Sequence, residues 1–164
     1  MGAESMQISE FLHKELIVTN LEVESKEELF NVLYEKLYNS GFVKKSFLAG
    51  IKSREEKFPT GLQLSKYGVA LPHTDPEHVI LPAIAIATLA EPVEFKNMAL
   101  SSNDLNVNVV FMMALKEANS QVEMLQKLAC LIQNDSQLEK IVHAKKGGEI
   151  IEIIKNSSLS NLNL

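Results

Sequence analysis

Two periodicities alternate along the chain. Ser25-Lys26-Glu27-Glu28 reads as a capping box, in which the Ser25 hydroxyl accepts from the Glu28 amide while Glu28 reaches back to the Ser25 N–H. Leu29, Val32, Leu33 and Leu37 then recur at helical spacing, and Gly41 closes that helix. A second helix is predicted over Ser46 to Glu56, with Phe47, Leu48, Ile51 and Arg54 on one face. Pro59 stops it, since proline lacks the N–H that a continuing helix needs. The next segments lose the helical spacing. Val69 to Leu71 is short and apolar, Ala83 to Leu89 carries no charge, and Val107 to Ala114 is nearly all apolar; these read as buried strands. Glu94-Phe95 is too short to assign, and the mixed run Phe11 to Val18 reads as an edge strand. Helical spacing returns over Ser120 to Gln133, where Val122, Leu125, Leu128, Ala129 and Ile132 share a face. Asn134-Asp135-Ser136 breaks that helix, a shorter one follows over Gln137 to Ala144, and a last turn or two spans Glu149 to Ile154.

Helices before, between and after buried strands predict an α/β fold (an α+β sandwich), a mixed β-sheet with helices on both faces. A length of 164 residues fits one domain, placed at 11–155. Residues 1–10 read as a disordered or tag-derived leader, with Met1 to Ser5 as a remnant before a start at Met6, and polar 156–164 as a frayed tail. Hydrophobic content of 46% leaves room for a sizeable core. A net charge of −5 argues against a nucleic-acid partner, which would need clustered Lys and Arg. No apolar run approaches the roughly 18 residues of a membrane span, and the N-terminus lacks a basic region followed by an apolar one. No direct membrane insertion is therefore expected, and the cytoplasm is the default compartment. The one cysteine, Cys130, has no partner for an internal disulfide and sits in an apolar helical stretch, where it reads as a small core residue.

Candidate chemistry narrows to one histidine of four. His13 lies in a polar segment, and His143 sits at a helix C-terminus, where a cation is favoured by the dipole. His78 follows Asp75-Pro76-Glu77 and reads either as a solvated loop residue or as a group that positions His73. His73 ends Tyr67-Gly68-Val69-Ala70-Leu71-Pro72-His73, at the carboxyl end of a short strand, where function concentrates. Pro72 restricts Leu71 to extended geometry, so the histidine leaves the strand in a defined direction. On these grounds alone His73 reads equally as a strand-end cap or as a site. A neutral imidazole is both a nucleophile toward phosphorus and a leaving group, provided one nitrogen is free and the other is held. Upstream, Arg54 offers a planar fork to phosphoryl oxygens, with Thr60 and the Gly61 N–H as further donors. Asp75 would oppose a phosphate unless it points at the ring or at a cation. His73, Asp75 and His78 could mimic a metal site, yet neither His-Glu-x-x-His nor Cys-x-x-Cys is present, so no metal is expected. A Gly-rich phosphate loop and Gly-x-Ser-x-Gly are likewise missing, which disfavours a nucleotide-driven kinase and a hydrolase; no cofactor is implied.

Together, Arg54-Glu-Glu-Lys-Phe-Pro-Thr-Gly-Leu and Tyr67-Gly-Val-Ala-Leu-Pro-His-Thr-Asp resemble the active-site signature of the EIIA component of the bacterial sugar phosphotransferase system, in its fructose–mannitol–galactitol branch. The resemblance spans about Leu16 to Ile154. It implies a phosphotransferase component, a histidine phosphoryl carrier in sugar transport. By that resemblance His73 accepts a phosphoryl group from the phosphocarrier HPr and passes it to a cysteine of EIIB, which serves membrane EIIC. Arg54 corresponds to the family's arginine beside the phosphohistidine, and Thr60 to its neighbouring hydroxyl residue. The sequence departs from mannitol- and fructose-type members at one place. Gln121 stands where they carry a second active-site histidine, a feature similar to the galactitol-type subgroup. The expected substrate is therefore galactitol or a related polyol. A regulatory EIIA-like module, whose phosphorylation state is read by other proteins, is the alternative.

Overall fold

A computed structural model describes residues 7–162. The proposed remnant at Met1 to Ser5 and the last two residues of the expected tail lie outside the described residues. The chain forms Ile17–Leu21 (β1), Lys26–Asn39 (α1), Phe47–Lys57 (α2), Gly61–Gln63 (β2), Gly68–Ala70 (β3), Ala83–Lys96 (β4), Asp104–Ala114 (β5), Ala118–Ile132 (α3), Asp135–His143 (α4) and Gly147–Leu162 (α5). The five strands make one sheet in the order β1-β4-β5-β3-β2. β1 runs parallel to β4, and β3 parallel to β5, while β4 with β5 and β2 with β3 are antiparallel. The sheet is mixed, as expected.

Each face of the sheet carries its own core. Ile84 and Ile86 of β4 and Val109, Phe111 and Met113 of β5 pack with Met124, Leu128, Leu138, Ile141, Ile150 and Ile154 of α3, α4 and α5. The intervening Ala83, Ala85 and Ala87 face the other way, against Leu29, Leu33 and Leu37 of α1 and Ile51 of α2. The alternation of large and small residues thus assigns one face to three helices and the other to two packed close to the alanines.

The structure revises several boundaries. Glu94 and Phe95 belong to β4, paired with Asn106 and Leu105 beyond a register shift between Thr88 and Val93. There the inward face switches. Leu105 and Val107 join the α1–α2 core, whereas Val109 joins the opposite one, as an irregularity in a period-two strand requires. The segment Phe11 to Val18 is not one strand. Two 3-10 turns, Ile8–Phe11 and Lys14–Leu16, precede β1, which does lie at the sheet edge. Ile8 and Leu12 are buried in one core and Leu16 in the other, so the two turns are anchored to both. With Ile8 in the core, packing begins before residue 11. At the other end α5 continues through Asn156, because Ile150, Ile154 and Ser157 extend one buried stripe. In α3 the stripe is Met124, Leu128, Leu131 and Ile132. Val122 is 57% exposed and Cys130 is exposed, so neither is core. Both stand two residues from a stripe member, about 200° round the helix.

Candidate functional site

β3 ends at Ala70 because Pro72 cannot donate to a ladder, and the chain then leaves the sheet carrying His73. Three contacts hold that exit. The Leu71 N–H donates to the Thr60 hydroxyl (3.2 Å), the Met113 N–H of β5 donates to the Pro72 carbonyl (2.9 Å), and Gln121 Nε2 of α3 donates to the Thr74 carbonyl (2.7 Å). His73 is thereby fixed on both sides, by backbone and by the start of a helix from the far face.

The ring of His73 is buried to 9% exposure, with Nδ1 2.9 Å from the Leu71 carbonyl oxygen. A carbonyl only accepts, so Nδ1 carries the proton and Nε2 presents its lone pair. Burial pushes the imidazole below its ordinary range. The Leu71 contact opposes that shift, the Arg54 charge adds to it, and Asp75 opposes it more weakly. His73 is a neutral imidazole at neutral pH.

Arg54 lies on the last turn of α2. Its guanidinium sits 4.7 Å from the centre of the Phe58 ring, and Nη1 lies 4.0 Å from Asp75 Oδ1. Arg54 Nε is buried without a hydrogen-bond partner, a donor in want of an acceptor. Asp75 thus faces the cation. At this separation, with both side chains partly exposed, the pair orients the arginine more than it stabilises the fold.

Thr60 lies elsewhere than expected for a hydroxyl offered to phosphoryl oxygens. At 1% exposure, its Oγ donates to Glu55 (2.9 Å) and accepts from Leu71, while its N–H donates to Glu55 Oε2 (2.8 Å). Glu55, a residue the sequence reading passed over, is 3% exposed. Burial raises its carboxyl above the ordinary range, against the two Thr60 contacts and the more distant Lys26. The signal available in the sequence was its helical phase. Glu55 follows Ile51 by four residues and so falls on the buried face of α2.

His78 ties its loop to the start of α2. Its Nδ1 lies 2.8 Å from the hydroxyl of Ser46, the residue preceding α2, while Val79 seals the core beneath. His143 belongs to a surface cluster away from His73, 2.8 Å from Glu139 and close to Tyr67. Among the described residues no three His, Cys, Asp or Glu side chains converge as a metal site would require. No helix among them is long and apolar enough to cross a membrane. A buried neutral imidazole with one nitrogen held and one presented, beside an arginine with an unsatisfied donor, is equipped to accept a phosphoryl group and release it.

Comparison with known proteins places the chain in a family. The family model described as "Phosphoenolpyruvate-dependent sugar phosphotransferase system, EIIA 2" matches residues 10–157. The fructose-specific EIIABC component of Bacillus subtilis strain 168 is 28% identical over 153 residues, 91% of this chain and 23% of that protein. The transcriptional regulator ManR of the same organism is 28% identical over 128 residues, 77% of this chain and 18% of that protein. The galactitol-specific EIIA component of Escherichia coli strain K12 is 25% identical over 131 residues, 76% of this chain and 87% of that protein. The chain therefore spans less than a quarter of the first two. The solved complex of enzyme IIA and phosphorylated enzyme IIB for mannitol from Escherichia coli contains the same fold. Its TM-score is 0.74 at 22% identity, over 88% of this chain and 97% of that one.

Proposed function

Because the chain belongs to the EIIA 2 family of the phosphoenolpyruvate-dependent sugar phosphotransferase system, we propose that His73 is its phosphoryl carrier, loaded at Nε2 by phospho-HPr and unloaded onto a cysteine of EIIB. The observation that carries this reading is the hydrogen bond from His73 Nδ1 to the Leu71 carbonyl, 2.9 Å long, which leaves Nε2 as the nucleophile. In the loading step the donor's N–P bond breaks as a bond from Nε2 to phosphorus forms. The ring gains positive character, and the proton stays on Nδ1, where its hydrogen bond to the Leu71 carbonyl stabilises the charge. In the unloading step a thiolate attacks phosphorus, and Nε2 leaves with its electron pair as a neutral imidazole nitrogen. Arg54 neutralises the phosphoryl oxygens and gives its orphaned Nε an acceptor. Asp75 steers the guanidinium, and Gln121, already committed to Thr74, holds the loop without adding charge.

Gln121 in place of a second histidine supports a polyol substrate of the galactitol type. The similar identities to fructose- and galactitol-specific relatives leave that choice to experiment. EIIB as partner is supported by family membership, and EIIC follows as the membrane component it would serve; a cytoplasmic location fits that relay. The likeness to ManR favours the regulatory reading as the second one, with the same histidine and a different output. Incubation with phosphoenolpyruvate, its kinase enzyme I and HPr tests the relay: one phosphoryl group per chain is expected, and none on a His73→Ala variant. Delivery from that phosphoprotein to a galactitol-type EIIB, against fructose- and mannitol-type EIIBs, tests the substrate.

A further inference from the structure

The loop that carries His73 is tied to a buried carboxylate through groups the proposed transfer does not itself use. Glu55 accepts both the N–H and the hydroxyl of Thr60, at 2.8 and 2.9 Å, and the same hydroxyl accepts the Leu71 N–H at 3.2 Å. The Leu71 carbonyl in turn holds His73 Nδ1. The ladder between β2 and β3 pairs Gly61 with Ala70, and one residue further Thr60 would face Leu71. There the Thr60 backbone turns to Glu55, and its side chain takes over the pairing. The Leu71 N–H and C=O lie in successive peptide planes joined through dihedrals that Pro72 restricts to extended geometry, so fixing the N–H limits where the C=O aims.

We propose that Glu55 and Thr60 are positioning residues for phosphoryl transfer, a buried clamp that sets the Leu71 carbonyl and thereby the tautomer and angle of His73. The proposal rests on His73 as the carrier only for its kinetic consequence; the tautomer consequence stands on geometry alone. A purely structural role for the pair would leave the ring state untouched in any folded variant. A clamp makes the hydroxyl indispensable and the methyl group of Thr60 dispensable.

The test compares Thr60→Val, Thr60→Ser and Glu55→Gln in the full chain by two readouts. The first is the nitrogen-15 NMR signature of the His73 ring, which reports how the proton divides between Nδ1 and Nε2 without any transfer. The second is the rate of phosphoryl acceptance from phospho-HPr at saturating donor. Thr60→Val is expected to move the proton population away from Nδ1 and to slow acceptance by roughly ten- to a hundredfold, the scale of a misplaced reacting group. Donor affinity should stay within about twofold, since neither residue is exposed to a partner. Thr60→Ser, which keeps the hydroxyl, should restore both readouts. Glu55→Gln, which keeps one acceptor, should shift the tautomer in the same direction by less; it carries the test if Thr60→Val does not fold. An unchanged tautomer in folded Thr60→Val or in Glu55→Gln overturns the clamp, as does a Thr60→Ser variant as impaired as Thr60→Val. If wild type takes no phosphoryl group while the tautomer shifts as described, the carrier reading fails and the clamp stands.

Discussion

At the scale of the residue, the proposed chemistry rests on a neutral His73 and a charged Arg54. Since burial lowers the His73 pKa, the rate of phosphoryl acceptance should stay flat as pH falls through about 6.5, the ordinary histidine value, and drop only below it. A midpoint at or above that value would contradict the environment described. The same shift has a sign for stability. A base whose folded pKa is depressed contributes stability above its unfolded pKa and loses it as pH falls through the folded one. His73→Gln should therefore unfold less readily in mild acid than wild type does, relative to each protein at neutral pH, measured by denaturant midpoints. Arg54→Ala should keep its fold and lose about 10²–10³-fold in transfer rate, the cost of removing one well-placed donor to developing charge. His73 and Arg54 were legible in the sequence because proline, strand end and a basic fork leave local marks. Thr60 was legible as a candidate but not in its surroundings, since its hydroxyl is claimed by Glu55, and a contact between two buried side chains leaves no local mark.

At the scale of the element, the site depends on how closely α2 approaches the loop after His73. Gly50 makes that approach. A Cβ there would lie 2.7 Å from Thr74 Oγ1 and 3.0 Å from His78 Cδ2, and Thr74 is buried while His78 is held by Ser46. Gly50→Ala should cost about 1–3 kcal/mol of stability, the range for overpacking. It should also slow transfer by displacing the Thr74 carbonyl from Gln121, and a thermal melt with a transfer assay checks both. The strands at the centre of the sheet were readable because Ile84, Ile86 and their alanine neighbours announce burial on two faces. β2 was not, since Gly61–Gln63 is three residues long and exists because β3 offers it an edge. The full length of β4 was hidden by Glu91 and Pro92, where the register shifts and the pattern breaks. The face of α3 was read only in part, with Leu128 and Ile132 buried and Val122 exposed, because several apolar stripes fit that helix and only the sheet chooses among them.

At the scale of the whole molecule, the proposed carrier must admit two partners in turn to one largely buried ring. Phe58, 59% exposed against Arg54, and Val122, 57% exposed and next in sequence to Gln121, lie at the end of α2 and on α3, helices of opposite sheet faces, and offer apolar contact for a transient interface. HPr and EIIB should compete for this surface, and Phe58→Asp should weaken both by about 1–3 kcal/mol, measured by titration calorimetry. Loss of binding to one partner alone would show that the two dock on different surfaces. The relay itself meets its most direct test in a single labelling experiment with phosphoenolpyruvate, enzyme I and HPr, read by phosphorus-31 NMR and peptide mapping. One acid-labile phosphoryl group on Nε2 of His73 is the result predicted. A label that survives acid, or that persists in His73→Ala, would contradict it.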